Sequence, residues 1–205
     1  WFEIPYSVDS INQDPTLEYF MERWQYDLFQ KYLSSEVLSL METNWLADGS
    51  GFVTQHACLK FDEANSDHMT MFRNVGGVFF EKLAILWTDG YVLFPDLKFD
   101  NLGFYGNDLV LFDWHLPQSF LSDGGEFFYK LFDIVSKCFD KKDEQIVVYK
   151  TLLNSLDNMS MIEDLQRSQL CYNNVGLLTH INNGFISALK QKLNGIISSN
   201  GSFYF

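Results

Sequence analysis

The chain has 205 residues, with 14 Lys+Arg against 27 Asp+Glu and a formal net charge of −13. So acidic a surface repels nucleic-acid phosphates and anionic membranes, which argues against both as general partners and leaves a basic protein partner open. Hydrophobic residues at 47% and aromatic residues at 17%, with 20 Phe, predict a folded core built largely from aromatic packing, large enough for one domain or a lobe and a half.

Cys58, Cys138 and Cys171 are far apart and lack paired-ligand spacing. That pattern predicts a reducing, cytoplasmic setting, no zinc site, and cysteines that act as small core residues. No apolar run reaches transmembrane length and no signal peptide is visible. The chain begins at Trp1, so a segment cut from something longer is expected.

Taken in order, Trp1–Tyr6 reads as a short strand. Asp14-Pro15 is a helix-start signal, and Leu17, Phe20, Met21, Trp24 and Leu28 recur at helical spacing, which predicts a helix over 15–33. Its Glu18 and Glu22 are favourable charges near a helix N-terminus. Residues 36–46 and 51–61 read as two strands joined by Asp48-Gly49-Ser50-Gly51, with Lys60 on the second. A lone Gly-Ser-Gly is a weak signal, and a plain hairpin is the favoured reading.

Residues 67–88 read as a helix capped by Asp67 or Ser66, with Phe72, Val75, Phe79, Leu83 and Leu86 on one face. Gly76-Gly77 weakens it and permits close helix approach, and Thr88-Asp89-Gly90 ends it. Tyr91–Phe94 and Leu109–Phe112 are short apolar runs that read as buried strands, the second entered through a Gly106-Asn107-Asp108 turn. Between and after them stand Asp96, Lys98, Asn101 and Asp113. Acids and a Lys among so much Leu, Val and Phe are costly if simply buried, so they either reach solvent or hold something. Two carboxylates and an amide oxygen are hard ligands of the kind Mg²⁺ takes together with phosphate oxygens, and a nearby ammonium suits a transferring phosphoryl group.

Further on, His115 stands two residues past the last acid and reads more readily as a packed residue than as a ligand. Asp123 is placed to cap the next helix, and Phe127, Phe128, Leu131, Phe132, Val135 and Phe139 predict that helix to be strongly apolar. Lys141–Glu144 reads as a solvated charged link. Helices are expected over 143–157, 160–171 and 175–198, with His180 structural and Phe203-Tyr204-Phe205 a terminal aromatic cluster.

The stretch Phe94-Pro95-Asp96-Leu97-Lys98-Phe99-Asp100-Asn101, followed by Phe112-Asp113-Trp114, resembles the catalytic loop and metal-binding segment of the protein-kinase-like superfamily. That family's pattern is His-Arg-Asp-Leu-x-x-x-Asn, then a hairpin and Asp-Phe-Gly. Phe94-Pro95 stands for His-Arg, Trp114-His115 stands for Phe-Gly, and no Ala-Pro-Glu comes after them. The resemblance spans about residues 70–140 and implies an α+β, protein-kinase-like fold, with a reduced or truncated N-lobe segment over 1–65 and a mainly helical C-lobe over 66–205.

It also implies roles. Asp96 would orient or deprotonate an acceptor hydroxyl, Lys98 would meet the γ-phosphate of ATP, and Asn101 and Asp113 would hold Mg²⁺. Glu18 or Glu22 would pair with a nucleotide-anchoring Lys, for which Lys60 is the candidate, although about 35 residues between Lys60 and Asp96 favour a hinge there. Three functions are expected from the resemblance: a phosphotransferase, a pseudokinase or kinase mimic that binds a protein partner, or a nucleotidyltransferase moving AMP on a related fold.

Overall fold

The computed structural model describes residues 2–3, 15–35, 38–47, 52–54, 59–113, 124–159 and 183–200. Among these the chain is α+β and mostly helical, with five α-helices and seven short strands. It divides into two compact units, Trp1–His68 with Pro95–His115, and Met69–Phe94 with Leu116–Phe205. Thus the hairpin that carries Asp96 and Asp113 counts with the N-terminal residues. No described helix is long and apolar enough to cross a membrane.

In the first unit, β1 (Phe2–Glu3), β3 (Thr43–Trp45) and β4 (Phe52–Thr54) form an antiparallel sheet in the order β1-β4-β3. A second, mixed sheet has the order β2-β7-β6-β5, from β2 (Ser39–Leu40), β5 (Leu59–Lys60), β6 (Leu102–Tyr105) and β7 (Asp108–Leu111). The strands expected over 36–46 and 51–61 are therefore each split. The antiparallel pairing of Trp45 with Phe52 keeps the expected hairpin, but β2 runs parallel to β7 and β5 antiparallel to β6. Met41 N–H bonds the Leu111 carbonyl, so the chain leaves the mixed sheet there before turning into β3.

The β6–β7 hairpin closes through Gly106-Asn107, with Tyr105 opposite Asp108. Gly106 has φ +64°, which only glycine adopts freely, so it stands at the first central position of a tight hairpin turn. Helix α1 (Pro15–Tyr32) begins at the expected proline. It buries Leu28 and Phe29, and the Tyr26 hydroxyl donates to the Met41 carbonyl at 3.2 Å. Burial pushes the Tyr26 phenol up.

Helix α2 (Ser66–Thr88) starts in the first unit and runs from Met69 through the second, where it buries every position expected on its inner face and adds Phe80 and Trp87. Its cap differs from the expectation. Asn65 Oδ1 accepts from the N–H groups of Asp67 and His68, so Asn65 is the N-cap and Ser66 and Asp67 are helical. The other end stops as expected: Gly90 at φ +95° donates to the Trp87 carbonyl and Tyr91 to that of Leu86, the paired bonds of a left-handed glycine stop.

Tyr91–Phe94 is not a strand. Leu93 N–H turns back to the Tyr91 carbonyl, the Leu93 carbonyl takes the buried Trp87 indole N–H at 2.9 Å, and no described strand pairs with it. Its run of apolar residues marks a buried loop, which periodicity cannot tell from a buried strand. Phe94 packs edge-on against Phe79 and Phe127.

Helix α3 (Gly124–Cys138) carries the expected apolar positions Phe127, Phe128, Leu131, Phe132 and Val135, all buried, whereas Phe139, expected on the same helix, lies just past its end and is half-buried. Helix α4 is Lys142–Asp157, so Lys142, Asp143 and Glu144 form its first turn and are not a link. Helix α5 (Asn183–Ser198) buries Leu189, Leu193 and Ile196 and ties Lys190 to Asp157 at 2.8 Å. The expected helix over 160–171, the start of the last helix over 175–182, His180 and Phe203–Phe205 lie outside the described residues.

The double glycine of α2 has one purposeful half. A Cβ built on Gly76 would lie 2.7 Å from Cys138 Cβ and 2.8 Å from its Sγ, whereas one on Gly77 would meet nothing within 4 Å. Burial also pushes the Cys138 thiol up to about 12, as suits a core residue and not a reactive one. Gly76→Ala is expected to destabilise by roughly 1–3 kcal/mol through overpacking. Gly77→Ala is expected to stabilise by roughly 0.5–1 kcal/mol by removing a mid-helix glycine. Urea unfolding of the two variants should move in opposite directions from the native midpoint.

Candidate functional site

The site is a single turn and the end of a hairpin, all within the first unit. Leu97 N–H bonds the Pro95 carbonyl, and the chain then enters a one-turn 3₁₀ helix, Phe99–Asn101, with Asn101 N–H on the Lys98 carbonyl at 3.0 Å. Phe112 N–H donates to the Asn101 carbonyl at 3.0 Å, which holds the strand end that carries Asp113 against the turn.

Asn101 is the junction. Its Nδ2 donates to the Asp96 backbone carbonyl at 2.8 Å, to Asp96 Oδ2 at 3.1 Å and to the Asp113 backbone carbonyl at 3.2 Å. Both residues of the Asp96–Asn101 pair are 4% exposed, so these bonds are shielded from water. With the amide N committed three ways, Oδ1 is fixed in orientation, and among the described residues no donor is seen on it. A buried carbonyl oxygen without a donor is a demanding group.

Lys98 Nζ donates to Asp96 Oδ2 at 2.7 Å while its side chain keeps 46% of its exposure, so the ammonium links a buried carboxylate to solvent. Burial pulls the Lys98 ammonium down, but the Asp96 hydrogen bond and the charges of Asp96, Asp113 and Asp100 outweigh it and hold the group above its ordinary 10.5. The influence of Asp113 on Lys98 puts its charge within electrostatic reach of the same ammonium. Asp100 in turn pairs with Lys60 at 3.4 Å, with both side chains exposed. Three carboxylates face two ammonium groups, which leaves the turn net negative and suited to a cation.

The structure therefore brings Asp96, Lys98, Asn101 and Asp113 together. It places Lys60 on the edge strand β5, opposite Gly103, with its ammonium on Asp100. Glu18 and Glu22 lie in α1, but their side chains are outside the described residues, as are Gly49-Ser50-Gly51, Trp114, His115, Asp123, Cys58 and Cys171. Among the described residues no group of three or more His, Cys, Asp and Glu is arranged to hold a metal ion by itself. A cation held here would take Asn101 Oδ1 and the Asp113 carboxylate and complete its shell with ligand or water oxygens, as Mg²⁺ commonly does.

Sequence reasoning missed Asp100 as the partner of Lys60, and it missed the aromatic backing of the turn. Phe99 stacks on Phe61 with ring centres 5.1 Å apart and planes within 12°, and Phe61 lies nearly parallel to Phe104 at 6.3 Å. The available signal was the spacing of Phe99 and Phe104 around the motif, beside a Phe61 that comes directly after Lys60. No protein family, no curated protein and no solved structure matches this chain.

Because the folded state raises the Lys98 ammonium above 10.5, its contribution to stability is full below that pH and is lost as pH climbs through the higher folded value. The native chain should therefore exceed Lys98→Met in stability at neutral pH, and the gap should narrow in alkaline solution above 10.5. Urea midpoints of both proteins across that range check it. A half-exposed pair limits the gap at neutral pH to roughly 1 kcal/mol.

Proposed function

We propose that this chain is a kinase-like phosphotransferase that moves the γ-phosphate of ATP to a hydroxyl acceptor with Mg²⁺, on a kinase-like α+β fold with a reduced N-terminal lobe. The observation that carries this reading is the Asn101 amide, which ties Asp96 to the Asp113 strand end and, among the described residues, has no donor on Oδ1. Phosphoryl transfer asks little covalent chemistry of a protein. It asks for positioning and for charge at the transferring group.

In this reading Asp96 orients the acceptor hydroxyl and accepts its proton. Its carboxylate is buried and held by two donors, so its direction is set before any acceptor arrives. Lys98 is charged at neutral pH and reaches solvent, so it can swing from Asp96 to an incoming phosphate oxygen. Asn101 Oδ1 and the Asp113 carboxylate would hold Mg²⁺, which would supply neutralisation of the phosphate charge. The acceptor approaches from the solvent side, where Lys98 is open.

One observation favours a second reading, a pseudokinase or kinase mimic that grips a protein partner. Lys60, the candidate nucleotide anchor, is spent on Asp100 within the first unit. Without a Lys held on the phosphates, nucleotide binding would be weak.

Thermal unfolding with ATP and Mg²⁺ separates the two. Under the phosphotransferase reading the nucleotide at about 100 times its dissociation constant adds roughly 2.7 kcal/mol, and Asp113→Ala abolishes the Mg²⁺-dependent part. No shift at any nucleotide concentration would favour the mimic. Asp96→Asn tests the chemistry. Release of ADP in the presence of an acceptor should drop by roughly 10²-fold or more while the Mg²⁺–ATP shift persists, and equal turnover would remove Asp96 from the mechanism. Release of pyrophosphate in place of ADP would redirect the reading to AMP transfer.

A further inference from the structure

We propose that His68 is a positioning residue whose protonation state sets how firmly the Asp96–Asn101 turn is held. Its Nδ1 accepts the Asp62 backbone N–H at 3.0 Å, so in this arrangement that nitrogen carries no proton. The seat around it is built by local bonds: Asp62 Oδ1 accepts from Ala64 N–H, and Asn65 Oδ1 from Asp67 and His68 N–H.

The ring faces the turn through aromatic neighbours. His68 lies 4.6 Å from the Phe104 ring and 5.5 Å from that of Phe61. Phe61 is buried, is fixed by its N–H on the Leu102 carbonyl, and stacks on Phe99. Phe99 opens the 3₁₀ turn that Asn101 closes. The tilted imidazole, the stacked phenyl rings and the turn are thus in unbroken contact inside the first unit, ending two residues from the amide that joins Asp96 to Asp113.

Protonation changes the sum of forces on this ring. A proton on Nδ1 sets a donor against the Asp62 N–H, and it places a cation in the first turn of α2, opposed by the helix dipole. The charged groups around it are Asp62, Glu63 and Asp67 on its own segment, all exposed, and Lys60 and Asp100, which already pair with each other. Strand β6 brings only Tyr105 as a titratable group. A charged His68 therefore loses its acceptor role and gains three acids to turn toward, away from Phe61 and Phe104. Phe61 then loses its imidazole neighbour, and the Phe99 ring that rests on Phe61 is held less firmly, so the turn loosens.

The test is an NMR titration from about pH 8 to about pH 5, tracking the His68 ring, the Asp62 backbone amide and the Asn101 side-chain amide. In the native chain the three should move with one midpoint. His68→Asn supplies an acceptor where Nδ1 stood and cannot titrate, so its Asp62 and Asn101 signals should stay level. His68→Phe keeps a ring but no acceptor, and should hold the Asp62 amide near its acid position throughout. An Asn101 signal that stays put while His68 titrates overturns the proposal, as does a pH response of Asn101 that survives in His68→Asn. The consequence for metal binding rests on the phosphotransferase reading: stabilisation by Mg²⁺–ATP should fall toward about pH 5 in the native chain and not in His68→Asn. Because the titration needs no nucleotide, a chain indifferent to Mg²⁺–ATP at every pH would sink phosphotransfer alone and leave the coupling intact.

Discussion

The side-chain amide of Asn101 is where the first unit is tied together. One NH₂ group serves two backbone carbonyls and a carboxylate from separate stretches of the chain, and it does so at a residue almost wholly removed from water. In such a place each bond is strong and each loss leaves an unpaired buried acceptor. The loop from Pro95 to Lys98 has almost no regular structure to fix it. The backbone bond from Phe112 to Asn101 secures the strand end, while this amide and Lys98 both hold the Asp96 carboxylate. Asn101→Leu or Asn101→Asp would fill the space without repeating the donors.

The strands of this unit are two to four residues long, too short to stand by themselves. Beneath the turn, β5 and β6 are backed by a layer of rings that runs from Phe104 and Phe61 to Phe99. The same residues that make the sheet cohere thus set the height of the turn above it. Structure and site share one set of contacts, so small movements at the edge strand reach the polar residues directly.

The helices were legible because their signals are long. The sustained repeat of apolar positions in α2, a proline at the head of α1 and a glycine behind α2 each correspond to a backbone need that sequence displays openly. The polar cluster was legible because the spacing of four residues carried it. Short elements were not. Residues 36–46 hide a break between two sheets, since two-residue strands leave no period to read, and the parallel partner of Ser39 is Val110, far along the chain. The apolar run at 91–94 misled because a buried loop and a strand buried on both faces share one pattern. Asn65 was overlooked as a cap because Ser66 and Asp67 beside it carry the same chemistry, and only the fold selects among three adjacent acceptors. The partner of Lys60 was illegible for a plainer reason: an exposed ion pair between strand and turn has no signature in either segment.

The close fit of Gly76 against Cys138 has a use beyond packing. The sulfur sits where even a methyl group would collide, and its proton is held far more tightly than in a free thiol. An alkylating reagent cannot form its bond there until the two helices part. The rate of labelling at this atom is therefore a built-in clock for the breathing of the helical half, readable by mass.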